Sequence, residues 1–207
     1  MTLLGLTGDI ACGKSSVASL LEKRGAHLLD ADQLVHELYS DADFAKRIAA
    51  LFGAGVLSAE NTVDRRALGE IVFSDDAALQ RLESRVHPAV AALRDEELRA
   101  LELQNPSQIV VLEAVKLLES GQARGCAAVW CVSCAPEIQM QRLMQKRGLD
   151  ENAARARLKS QPPRKQKQKL AEVAKVPLVF IENNGTPDEL AAQVEALWRE
   201  FLKHHVV

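Results

Sequence analysis

No stretch of this sequence approaches the roughly 20 consecutive apolar residues that a membrane helix needs. The opening Met1 to Thr7 also lacks the charged start and cleavage site of a secretory leader, so the expected location is cytoplasmic, with no membrane partner. Basic residues are not in excess: formal charge is −2, which leaves no bulk attraction to a nucleic-acid backbone. The four cysteines, Cys12, Cys126, Cys131 and Cys134, are too few and too clustered for a secreted disulfide framework. Internal repeats and long low-complexity tracts are missing as well. What is present is a chain of 207 residues, 47% of them apolar, enough to bury a substantial interior around small-molecule ligands. A monomer is the expected state.

Five nearly unbroken apolar runs read as strands: Thr2 to Thr7, Ala26 to Leu29, Gln108 to Leu112, Ala127 to Val132 and Leu178 to Ile181. Runs without alternation suit strands covered on both faces, so the expected fold is α/β, a three-layer core with a parallel five-stranded sheet. Residues 33–105 show helical periodicity and no strand signal, including Phe44 to Phe52, Arg65 to Phe73 and Ala77 to Leu103, and predict a helical insertion. Residues 1–32 and 106–207 form the expected core. Pro88 is expected to bend or restart the long helix. Pro136 can open a helix carrying Arg142 to Arg147, and Pro162 and Pro163 stop the charged helix that follows. The run Arg164 to Lys169 reads as exposed and mobile, and Pro187 to Lys203 as a packing helix.

Gly8-Asp9-Ile10-Ala11-Cys12-Gly13-Lys14-Ser15 satisfies the Walker A pattern and lies between a buried strand and a helix. Glycines at its ends let backbone amides converge on phosphate oxygens, and the helix N-terminus beginning Lys14-Ser15-Ser16 adds its positive dipole end. Lys14 brings a cation to the outer phosphates of ATP, and the Ser15 hydroxyl is placed to bind a bridging Mg2+ ion. Cys12 is expected to offer its amide. The second strand ends at Asp30-Ala31-Asp32, which puts carboxylates at the edge where such sheets collect ligands. Asp32 is the candidate base for an attacking hydroxyl; Asp30 or Asp32 can equally cap the helix that starts there. Cys131-Val132-Ser133-Cys134 has C-x-x-C spacing, but strand positions three apart face opposite sides, which argues against a metal site.

Gly5-Leu6-Thr7-Gly8 leading into the loop, followed by Asp30-Ala31-Asp32, resembles the dephospho-CoA kinase family of P-loop kinases. The likeness continues through Asp64-Arg65-Arg66-Ala67-Leu68, Val86-His87-Pro88, Glu113 with Leu117-Leu118-Glu119, Arg157 with Gln161, and Ile181-Glu182-Asn183-Asn184-Gly185. The resemblance implies a P-loop NTPase fold whose helical insertion covers the acceptor and whose lid, about 142–168, closes over ATP. The implied reaction is ATP-dependent phosphorylation of the ribose 3′-hydroxyl of dephospho-CoA, the last step of coenzyme A synthesis. It carries over Asp32 as base, Arg65 and His87 as acceptor contacts, Arg142 and Lys146 as lid cations, and Asn183 as a nucleotide contact. The chain departs from the family's usual glycine at Ala11, its proline-leucine at Val115-Lys116, its lid arginine at Lys146, and its alanine-aspartate at Pro177-Leu178. Two other readings remain open: another nucleotide or metabolite kinase on the same core, and a nucleotide switch, although no guanine-reading N-K-x-D is present.

Overall fold

The computed structural model describes residues 1–205. Its elements, in chain order, are β1 (Thr2–Gly8), α1 (Lys14–Glu22), β2 (His27–Asp30), α2 (Ala31–Ser40), α3 (Ala42–Phe52), α4 (Arg65–Val72) and α5 (Asp76–Gln104), then β3 (Ile109–Glu113), β4 (Ala128–Ser133), α6 (Pro136–Arg147), α7 (Glu151–Lys159), α8 (Arg164–Ala174), β5 (Leu178–Glu182) and α9 (Pro187–His205). The five strands lie in the order β2-β3-β1-β4-β5. β1 pairs in parallel with β3 and β4, and β4 with β5.

Every residue of β3 and β4 is buried, whichever face its side chain takes. This explains why those strands read as continuous apolar runs rather than as alternating ones. On one side of the sheet, Leu4, Leu6, Trp130, Val132 and Ile181 pack with Val17 and Leu21 of α1 and Val194, Trp198 and Phe201 of α9. Trp130 meets Phe201 edge-on at 6.2 Å, and Phe201 stacks on Trp198 at 6.0 Å. Truncating a buried aromatic of this kind to alanine typically costs about 3–5 kcal/mol.

The chain divides into two compact units, Met1–Leu29 with Leu101–Val207, and Asp30–Ala100. Within the second, aspartates start the helices: Asp30 caps α2, Asp41 caps α3 and Asp64 caps α4, each accepting a first-turn amide at 2.7–3.0 Å. Two sequence expectations change. Pro88 lies inside α5, which continues through it as one helix rather than restarting. A single proline removes one donor from the ladder, and Leu82, Val86 and Val90, all buried, anchor the helix on both sides of it. Arg164 to Lys169 is neither irregular nor wholly exposed: it forms the first half of α8, and Lys167 is buried.

Candidate nucleotide site

The site grows from the carboxyl ends of the central strands. Pairing of Leu6 with Glu113 and of Gly8 with Val132 brings the ends of β3 and β4 to either side of the loop that leaves β1. Gly8 is required by close approach, since a Cβ there would lie 2.8 Å from the Val132 carbonyl oxygen. Asp9 then donates its amide to that same carbonyl at 2.9 Å. Ala11 takes a left-handed φ of 59°, which accounts for the glycine usual at that position and costs a residue with a Cβ about 1–2 kcal/mol. Gly13, at φ 93°, caps α1 without any side-chain hydrogen bond. The first-turn amides of Lys14, Ser15 and Ser16 therefore begin a helix whose N-terminal end faces the loop, the geometry that receives phosphate.

The Lys14 ammonium lies 2.7 Å from Glu113 Oε1, with the two side chains only 16% and 10% exposed. Glu113 ends β3, so the sheet register itself sets this acid beside the loop lysine. Ser15 and Ser16 are exposed.

Polar side chains from later in the chain hold the loop from outside. Gln161 Oε1 accepts the Ile10 amide at 2.5 Å, and Gln139 Nε2 donates to the Ile10 carbonyl at 3.0 Å. Arg142 Nη1 reaches the Ala11 and Cys12 carbonyls at 3.5 Å each, and its Nη2 donates to the Asn183 carbonyl at 3.2 Å. The Asn183 side chain donates to the Cys12 carbonyl at 2.7 Å and is 8% exposed, so its amide is committed to the loop backbone. Lys167, itself buried, forms an ion pair with the partly exposed Asp9. Lys146 and Arg157 are exposed.

The thiols form a second feature of the loop. Cys12 Sγ and Cys134 Sγ lie 2.8 Å apart, and Arg142 Nη1 is 3.7 Å from Cys134 Sγ. Cys131 turns the other way, its sulfur 3.9 Å from Lys167 Nζ. Burial pushes the Cys131 thiol up to about 11, and burial with the hydrogen bond to Cys134 raises Cys12 well above the usual thiol range. Among the described residues no group of three or more His, Cys, Asp or Glu is arranged to hold a metal ion.

Among the residues expected to meet the acceptor or its neighbours, Asp30 is the cap of α2, receiving the Asp32 amide at 2.8 Å. That contact uses the amide of Asp32; its side chain is exposed in the first turn of α2. Arg65 opens α4 and is exposed, close enough to Tyr39 to act on its ionisation, although burial is the larger influence and raises the Tyr39 pKa. His87 is half-buried in the interior of α5.

The sequence pattern located the loop but gave no role to Glu113, Gln139 or Lys167. For Lys167 a signal existed. Lys167, Leu170, Ala171 and Ala174 recur at the spacing of one helical face, so that lysine sits on the apolar stripe of α8. Glu113 and Gln139 carry no such local mark, because their partners lie about 100 or more residues away.

The sequence model of the dephospho-CoA kinase family matches residues 2–189. Dephospho-CoA kinase of Geobacter sulfurreducens is 40% identical over 200 residues, covering 96% of this chain and 98% of that protein. The Geobacillus kaustophilus dephospho-CoA kinase is 36% identical over 203 residues, with 97% and 98% covered. Among solved structures, a Thermus thermophilus protein superimposes with a TM-score of 0.78 at 33% identity, over 96% of this chain and 97% of that one. Dephospho-CoA kinase from Campylobacter jejuni does so with a TM-score of 0.69 at 27% identity, over 99% and 98%.

Proposed function

The chain belongs to the dephospho-CoA kinase family, an ATP-using kinase family, and from that premise we propose how its own residues move the terminal phosphoryl group of ATP onto the ribose 3′-hydroxyl of dephospho-CoA. The observation that carries the proposal is the loop between β1 and α1, with Lys14 2.7 Å from Glu113 at the carboxyl edge of the sheet.

The amides of Ala11, Gly13, Lys14 and Ser15 cradle the phosphates, and the Lys14 ammonium shifts its charge from Glu113 toward the outer phosphates as the nucleotide enters. Stabilisation of the charge that spreads over the transferred group is most of the catalysis such a site can offer. Arg142 and Lys146 add positive charge from α6. Asn183 serves the nucleotide indirectly, by holding the Cys12 carbonyl.

Mg2+ fits the residues present. An exposed Ser15 hydroxyl at the start of α1 and the Glu113 carboxylate beside Lys14 are the sparse protein contribution that magnesium takes when phosphate oxygens supply the rest. Bound there, the ion would neutralise charge on the outer phosphates.

The helices of Asp30–Ala100 take the acceptor. Asp32 orients the attacking hydroxyl and receives its proton, because its carboxylate is exposed while Asp30 does the capping. Arg65 grips the acceptor's pyrophosphate through its forked donors, and His87 contributes a further polar contact. The partners are thus small molecules, and the protein acts as a cytoplasmic monomer.

A coupled assay for ADP formation tests the acceptor, with dephospho-CoA set beside adenosine, AMP and pantetheine phosphate. Dephospho-CoA gives the highest turnover on this account. Equal or greater turnover with another acceptor would assign the chain to a different metabolite.

A further inference from the structure

Lys167 is a costly residue to bury. Only 6% of it is exposed, although the charged residues around it on α8 all face solvent. An unpaired ammonium in such a place would lose its proton or destabilise the fold. Its Nζ donates to Asp9 Oδ1, and Asp9 is the second residue of the phosphate loop. Burial works against the charge on Lys167, but Cys131 and Asp9 outweigh it and the pKa is raised. Of those two, Asp9 is the carboxylate in direct hydrogen-bond contact, while the Cys131 sulfur lies 3.9 Å from Nζ. The ion pair with Asp9 is the contact that favours a charged Lys167 in this place.

Asp9 is an awkward residue for its position. Its backbone is pinned, with the amide bonded to Val132 O at 2.9 Å and the carbonyl accepting from Cys12 N at 3.2 Å. The side chain remains 22% exposed in a loop whose ligand is a polyanion. Left uncompensated, that carboxylate would repel the triphosphate.

We propose that Lys167 is a positioning residue for the nucleotide: its ammonium neutralises Asp9 and fixes that carboxylate against α8, so that the loop presents amide donors rather than net negative charge to ATP. Gln161, in the turn just before α8, adds a neutral tie to Ile10. Lys167 differs from it in acting through charge. The proposal rests on the reading of this loop as the ATP site, and its test separates the two.

ATP binding is measured by titration calorimetry at low salt on the full chain, with the melting temperature of every variant recorded alongside. Wild type binds ATP. Lys167→Met weakens that binding by about 10- to 100-fold, the range one uncompensated charge near a triphosphate gives at short distance, and the loss shrinks as salt screens it. Under turnover, KM for ATP rises more than kcat falls. The double variant Asp9→Asn with Lys167→Met returns to within about threefold of wild type, because offending charge and compensating charge have gone together. Asp9→Asn alone, which does not depend on the lysine variant folding, binds ATP at least as tightly as wild type even if its melting temperature drops.

A purely mechanical clamp gives the opposite pattern, with each variant weak and the double variant no better than Lys167→Met. That pattern, unchanged affinity in Lys167→Met, or a tenfold loss in Asp9→Asn overturns the proposal alone. A wild-type protein that does not bind ATP ends both this inference and the reading beneath it.

Discussion

Replacing Gly13 by alanine perturbs the phosphate loop in two separable ways. Gly13 has φ 93°, a conformation in which a residue with a Cβ is strained by about 1–2 kcal/mol. The added Cβ would also lie 2.5 Å from Asn183 Nδ2, the atom that donates to the buried Cys12 carbonyl. Asn183 must move, and leaving that hydrogen bond unmade costs about 1–3 kcal/mol more. The sum, about 2–5 kcal/mol, lowers the melting temperature by about 4–20 °C in a chain of this size. Gly25 supplies the control: its φ of 88° is nearly the same, but a Cβ there meets nothing within 4 Å. Gly25→Ala should therefore show the strain alone, about 1–2 kcal/mol. Thermal unfolding followed by circular dichroism without nucleotide compares the two. Adding Asn183→Ala to each background should cost less beside Gly13→Ala, where the bond is already broken. Equal melting temperatures for Gly13→Ala and Gly25→Ala would refute the idea that Asn183 is seated on Gly13.

Asp32→Asn keeps ATP binding but lowers turnover by roughly 10²- to 10⁴-fold, the usual range for losing a positioned base; steady-state rates near wild type would reduce Asp32 to a bystander of the Asp30 cap. Glu113→Gln removes a negative charge beside Lys14, so ATP binding measured without divalent cation tightens, while turnover with magnesium falls by about 10–100-fold, as for other residues that support a metal site. Weaker metal-free binding would count against the Lys14 pairing as an obstacle that ATP displaces. Raised thiol pKa values keep Cys12, Cys131 and Cys134 protonated at neutral pH, and thiolate is the reactive form. Mass-mapped iodoacetamide labelling at pH 7.5 should thus be slow at all three, well below the unfolded chain, and should rise at Cys131 as pH nears 11. Fast native labelling of Cys12 would contradict the burial that sets these values.

Strands and loop were legible because their signals are local. Each strand expected from an apolar run lies within one residue of its observed bounds, and in β3 and β4 burial on both faces leaves no exposed position to blur an edge. The Walker A spacing likewise fixes loop and helix start together. Long-range pairings were not legible. The contacts of Cys12 with Cys134, Lys14 with Glu113 and Asp9 with Lys167 join residues that only the sheet register and the packing of α8 bring together. Charge density misled at Arg164 to Lys169, where composition suggested a solvated run while helical period put one lysine on the buried stripe. Pro88 left a bend or a restart open, and the helix does not restart there: α5 runs through it with buried residues on both sides.

The claim that everything else depends on is chemical transfer of a phosphoryl group from ATP to one hydroxyl. The most direct measurement incubates the purified protein with ATP, magnesium and dephospho-CoA and assigns the product by mass and by phosphorus and proton NMR. Coenzyme A bearing its new phosphate on the ribose 3′-oxygen, formed one for one with ADP, is the expected result. ADP released without a phosphorylated acceptor, or phosphate found on any other oxygen, would contradict it.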